Sequence, residues 1–202
     1  MSDIKPYRPG DVAPKTDGNP EGKGYIGFLK DWEDTEPRGV VAKPSRQVLA
    51  EFFTSMLVLS SQFKYQPVIG NSNYLYWINS EWSMSLIAPY EWSDERRAAF
   101  AGTCVLQQDM TWTIEPSEHL ASDNTVSAAV ADFYDAFADM LDTDLTLEDI
   151  LPTYVAKLPY YQRLHAAALS RSLRGTLLLG DRTAISCRDW FPQLPQLARM
   201  LP

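Results

Sequence analysis

The chain has 202 residues, with 18 Lys and Arg against 26 Asp and Glu, a formal net charge of −8, and is 45% hydrophobic and 22% charged. That composition excludes a disordered tail, a collagen-like repeat and a disulfide-dense scaffold, and a chain of this length buries roughly 70% of its unfolded surface. The acidic balance argues against general nucleic-acid binding, which needs a basic footprint, and length alone permits one domain or two small ones.

No apolar run approaches the roughly 18 residues of a membrane span. The first residues are polar and proline-rich, without the apolar core of a secretion signal, so a cytoplasmic protein with Cys104 and Cys187 reduced is expected. The charge is unevenly spread. Residues 1–114 hold 11 basic and 14 acidic side chains, residues 115–150 hold 10 acidic and none basic, and residues 151–202 hold 7 basic and 2 acidic.

In chain order, residues 1–24 combine four prolines and four glycines with little apolar content and predict a flexible arm. Residues 25–29 fit a short strand, and 31–43 a charged loop. Pro44-Ser45 opens a helix with Ser45 as N-cap, and Leu49, Phe52, Phe53, Met56 and Leu57 lie at helical spacing. Aromatic and branched runs at 74–78 and 83–88 predict a hairpin. A capped helical turn follows from Ser93, then a second hairpin at 100–107 and 111–114 around Gln108-Asp109. These strands make an antiparallel meander that needs a helix on one face.

After a linker at 116–124 the pattern turns helical. Val126, Ala129, Val130, Phe133, Phe137, Met140 and Leu141 mark one amphipathic helix. Thr146 and Asp149 resemble the capping box of a second, carrying Ile150, Leu151, Tyr154 and Val155. A third starts after Pro159 and runs to Arg174, with Gly175 beyond its end. Pro192 and Pro195 keep any helix in the tail short. The expected fold class is α+β: an antiparallel β-meander packed by an N-terminal helix, followed by a helical C-terminal region. The expected division is an arm (1–24), a helix plus meander (25–116) and a helical region (117–202) on the same or an adjoining core.

Motifs for phosphate loops, nucleophile elbows, metalloproteases and paired cysteines are absent, and no cofactor or metal site is expected. His165 lies among Tyr161, Ala168 and Leu169 and reads as a structural histidine; His119 reads as a solvated linker residue. Glu91 and Asp109 are carboxylates able to do acid–base work, but their simpler reading is as a cap and a turn residue. Alternation puts Tyr74 and Tyr76 on one sheet face and Leu75 and Trp77 on the other, so an aromatic binding surface is weighed against amphipathic cover. Asp132, Asp135, Asp139 and Asp142 cluster opposite one helix's apolar face; Arg163, Arg171 and Arg174 do so on another. These charged faces suit contact with another protein or with a second copy.

A resemblance to a family lies in this middle region. Pro67-Val68-Ile69-Gly70, Leu75-Tyr76, Ser85-Leu86-Ile87-Ala88-Pro89-Tyr90-Glu91-Trp92, Phe100-Ala101-Gly102, Leu106 and Asp109-Met110-Thr111-Trp112 resemble the core signature of domain of unknown function 2452, over about residues 45–114. The resemblance implies no activity and no residue role. The function expected is that of a cytoplasmic, non-enzymatic binding or adaptor protein, with Tyr74, Tyr76, Trp77, Glu91, Asp109, Arg163, Arg171 and Arg174 as its candidate surface. The alternatives are a small enzyme with a carboxylate in the meander, or a nucleic-acid-associated factor using the basic C-terminal helix.

Overall fold

The computed structural model describes residues 25–118, 120, 124–153 and 157–197. The predicted arm, His119, and Tyr154 and Val155 of the predicted second C-terminal helix lie outside them. The fold is α+β, as expected. Its described helices are α1 (Tyr25–Asp34), α2 (Ser45–Ser60), α3 (Asp94–Ala98), α4 (Asn124–Leu141), α5 (Tyr160–Leu179) and α6 (Cys187–Trp190). Its strands are β1 (Ser72–Ile78), β2 (Glu81–Ser85), β3 (Phe100–Leu106) and β4 (Trp112–Pro116), all paired antiparallel.

The strand order is β2-β1-β3-β4. This differs from a simple meander, because β3 returns beside β1 and leaves β2 at the edge. The β1–β2 hairpin is closed by Asn79 and Ser80, both at positive φ (52° and 62°), the two-residue turn whose twist matches paired strands. Gly102 faces β4 so closely that a Cβ there would sit 2.5 Å from the Glu115 carbonyl oxygen. The glycine of the Phe-Ala-Gly segment is therefore required by strand packing.

Helix α2 is buried almost all round: Phe52, Phe53, Thr54, Ser55, Leu57, Val58 and Leu59 are all out of solvent. A helix apolar on every side belongs inside a core, and α2 touches β2, β4, α4 and α5. It also closes one sheet edge. The Ser55 hydroxyl accepts the Trp112 N–H at 2.9 Å, and the Thr54 hydroxyl donates to the Trp112 carbonyl at 2.5 Å. One cluster of buried side chains runs from Val48 through Leu75, Trp112 and Phe137 to Leu169 and Trp190.

Several local expectations need correction. Residues 25–29 begin a helix, not a strand; Phe28 and Trp32, four residues apart, stack at 5.9 Å. Asp31–Asp34 of the predicted loop belong to the same helix. Pro44, not Ser45, occupies the N-cap of α2, and Ser93 precedes α3 without a side-chain cap bond. Thr146 and Asp149 do bond reciprocally, with the Asp149 carboxylate accepting the Thr146 N–H at 2.9 Å. Only a 3-10 turn, Glu148–Ile150, follows, because Pro152 forces Leu151 into extended backbone (ψ 143°). Helix α5 passes through Gly175 and ends at Gly180. Gly175 serves a close approach instead: Val40 Cγ1 would lie 3.1 Å from a Cβ there.

Candidate functional site

Three loops, the end of α1 and helix α5 line a cavity of about 360 Å³. Asp34 is the last residue of α1, the α1–α2 connection contributes Thr35 and Arg38, and the α2–β1 connection contributes Gln66, Pro67, Val68 and Ile69. Leu106 and Met110 come from the β3–β4 hairpin and His165 from α5. Exposure grades this lining by depth. Asp34, Arg38, Val68 and Ile69 are exposed, whereas Thr35, Pro67, Leu106, Met110 and His165 are buried.

The loops are braced. The Arg38 N–H donates to the Gln108 carbonyl at 2.9 Å and the Gly70 N–H to the Leu106 carbonyl at 2.9 Å. Gly70 takes φ +80°, a conformation glycine adopts without strain. The Tyr65 hydroxyl donates to Asn73 Oδ1 at 2.9 Å, fixing the chain beside Gln66. The cavity is therefore held in shape by backbone hydrogen bonds at two of its walls.

His165 is 2% exposed, and neither Nδ1 nor Nε2 has a hydrogen-bond partner. The rings of Phe63 and Trp112 lie 6.5 and 6.2 Å from it. Burial pushes its pKa down to about 4, so at neutral pH it is an uncharged imidazole with one donor and one acceptor. Buried polar atoms are satisfied in the great majority of cases, so an orphan at a cavity floor calls for an explanation.

The sequence-predicted candidates fall in several places. Tyr74 and Tyr76 lie on the sheet face opposite Leu75 and Trp77, with Phe100 at 6.2 and 5.6 Å. Tyr74 is half-buried and Tyr76 is buried, so Tyr76 is not part of the exposed surface expected of it. The Tyr76 hydroxyl donates to the Ile87 carbonyl at 2.9 Å. Trp77 lies on the helix-covered face, 4.8 Å from Trp82, as alternation requires. Glu91 caps its own 3-10 turn by accepting the Ala88 N–H at 3.1 Å. Asp109 accepts from the Thr111 N–H and hydroxyl at 3.1 and 2.7 Å and from Lys43 at 2.6 Å. Each carboxylate thus serves its own turn.

Lys43 also meets Glu51 at 2.6 Å. Burial opposes the charge of both Lys43 and Asp109, but their mutual hydrogen bond and its neighbours prevail, raising the lysine pKa and lowering the aspartate pKa.

Two of the three arginines of α5 are matched within the chain. Arg171 pairs with Glu36 and lies 4.3 Å over the Trp32 ring, and Arg174 meets Glu148 at 2.6 Å. Arg163 is half-buried. Asp132, Asp135, Asp139 and Asp142 are exposed, as their rotation around α4 predicts.

Sequence reasoning singled out His165 but not the residues that surround it. Asp34 ends α1, and Thr35, Arg38 and Gln66 sit in irregular connections, where no periodicity links them to α5. Among the described residues, no group of three or more His, Cys, Asp or Glu could hold a metal ion, and no helix is long and apolar enough to cross a membrane. No family model, curated protein or solved structure matches the chain.

Proposed function

We propose that the protein is a cytoplasmic, non-enzymatic binding protein that holds a small organic ligand in the cavity above His165. One observation carries this reading: His165, a buried imidazole with neither nitrogen hydrogen-bonded, is among the residues that line a cavity of about 360 Å³. Ligand pockets occupy roughly 300–1,000 Å³, and here Pro67, Val68, Ile69, Leu106 and Met110 share the lining with Asp34, Thr35, Arg38, Gln66 and His165. Kinship with domain of unknown function 2452 belongs to the same proposal; its Pro-Val-Ile-Gly segment forms one cavity wall.

Calorimetric titration with small uncharged, singly charged and zwitterionic compounds tests the reading. Ligands are expected whose affinity falls at least tenfold in His165→Leu and in Val68→Trp, which fills the cavity from its exposed wall. Binding indifferent to both substitutions would sink the reading.

A second reading, contact with a protein through the open sheet face, is favoured by the exposure of Leu86 (59%), Ile87 (41%) and Tyr90 (80%) at the end of that sheet. Replacing these three with Ser would abolish such an association and leave cavity binding unchanged.

A further inference from the structure

We infer that residues 25–38 form a lid on the cavity, hinged at Gly39 and held shut by a polar clasp, which swings aside to admit the ligand. Its role as an entry gate rests on the ligand-binding reading; the motion itself does not. The lining is what demands a motion. Leu106, Met110 and His165 line the cavity yet are 1–2% exposed, so a molecule reaches this inner wall only when another wall moves. Three of the walls are rooted in the core. Leu169 of α5, and Leu106 and Met110 of the β3–β4 hairpin, belong to the main hydrophobic cluster. The α2–β1 connection starts from Phe63 in the same cluster and is tied to the sheet by the Gly70 N–H on the Leu106 carbonyl at 2.9 Å.

The fourth wall is held differently. No described side chain of α1 belongs to that cluster or packs against it, and no other element runs along α1 at close backbone distance. Ile26 is 84% exposed and Leu29 39%, so the helix does not dock by these apolar residues. Its clasp is polar. The Tyr160 hydroxyl donates to the Asp31 carboxylate at 2.7 Å, and Arg171 pairs with Glu36, donates to the Thr35 carbonyl at 2.9 Å and covers Trp32. Segments with little buried apolar contact are the ones that open locally. The hinge follows from the next residues. Arg38 makes the lid's last bond, from its N–H to the Gln108 carbonyl at 2.9 Å. Gly39 then takes φ +68°, and a Cβ there would meet no atom within 4 Å. Beyond it the chain is fixed again: Val40 lies against Gly175, and the Lys43 ammonium joins Glu51 and Asp109. A glycine with open space around it, between a lightly held segment and a firmly held one, absorbs a backbone rotation.

Methionine oxidation reads the opening without any ligand. Hydrogen peroxide passes one oxygen to a thioether sulfur, giving the sulfoxide and water, wherever the sulfur can be reached. Met110 lines the cavity, and Met84, buried in the core from β2, is the control. After brief peroxide treatment of the full chain and peptide mass spectrometry, Met110 is expected to oxidise faster than Met84. Arg171→Gln and Tyr160→Phe should each speed Met110 by roughly threefold or more, because a weakened clasp opens more often, and leave Met84 unchanged. Gly39→Ala removes no contact but is strained at φ +68°, so it should act in the same direction; Gly39→Asn, which tolerates that region, should act less. Arg174→Gln should change neither methionine.

Met110 oxidation that ignores Arg171→Gln, Tyr160→Phe and Gly39→Ala overturns the lid. Met110 and Met84 that accelerate together also overturn it, because the whole fold and not a hinged segment is then opening. A Met110 response confined to these variants, in a protein whose cavity takes up no compound in the calorimetric titrations, upholds the lid while removing the ligand-binding reading.

Discussion

An imidazole buried without partners costs stability, because its water hydrogen bonds are lost and not replaced; for a buried polar group the penalty is about 1–3 kcal/mol. His165 also opposes folding in acid. In the unfolded chain the ring protonates near 6.5, but in the folded protein only near 4. Between those values the unfolded state binds the extra proton, so stability falls as pH drops from 6.5 to 4, by on the order of 3 kcal/mol across the interval. His165→Leu should therefore raise the melting temperature at pH 7, raise it further at pH 5, and abolish ligand binding. A variant that gains stability while losing function is the signature expected of a site residue kept at a cost. Asp109 acts lower on the scale. Its depressed pKa contributes stability above the ordinary carboxylate value, lost as pH falls through the folded one. Melts from pH 7.5 to 3 should show the loss above pH 4 removed in His165→Leu and the final acid collapse retained. An unchanged profile would mean that the imidazole is solvated.

At the scale of elements, the β1–β2 turn places two non-glycine residues at positive φ. Such turns favour Asn-Gly; a non-glycine residue in the left-handed region costs about 1–2 kcal/mol, of which the greater unfolded-state freedom of glycine takes back about 0.4–1 kcal/mol. Ser80→Gly should raise the melting temperature by a few degrees, whereas Gly102→Ala should lower it severely because of the Glu115 carbonyl. The α2–β4 bond gives a third test. Ser55→Ala leaves the Trp112 N–H buried and unpaired and should cost about 1–3 kcal/mol in denaturant melts. Elements of this kind differ in how well the sequence announces them. Helices α2 and α4 and the four strands follow from periodicity, since each buries a stripe or an alternating face. The β1–β3 pairing does not, because antiparallel strands carry no label for which neighbour they choose. Helix α1 departs from the expected strand because Tyr25 to Leu29 is too short and aromatic to separate strand from helix without its partners. The Thr146 capping box was real, yet Pro152 outweighed it. Gly175 has the spacing of a cap but serves the approach of Val40, a tertiary fact invisible along the chain. The same reason hid the mouth of the cavity: Asp34 and His165 are 131 residues apart and meet only through the fold.

For the whole molecule, the question is what holds the mouth in place. Among the described side chains of α1 none belongs to the main hydrophobic cluster, and polar contacts fasten the helix at its inner side. The Asp31 carboxylate accepts the Tyr160 hydroxyl at 2.7 Å. Arg171 donates to Glu36 and, at 2.9 Å, to the Thr35 carbonyl while covering Trp32. Glutamine at 171 loses the ion pair and the stacked cation, which are not interchangeable with a shorter neutral group. Because the core is untouched, Arg171→Gln should shift the global melting temperature by only a few degrees. The effect should instead appear as local opening: faster amide hydrogen exchange across residues 26–38, with α2 and α5 protected as before. Asp34 ends that helix and the loop with Thr35 and Arg38 follows it, so cavity affinity should fall in the same variant although residue 171 does not line the cavity. Glu36 is more than half exposed, so raising the salt concentration should weaken the anchor of the parent protein and leave the variant indifferent. Arg174→Gln, which removes only the Glu148 pair, should leave exchange across 26–38 unchanged. Equal exchange in the parent and Arg171→Gln would show that α1 is held by other contacts and that the arginine face is surface charge alone.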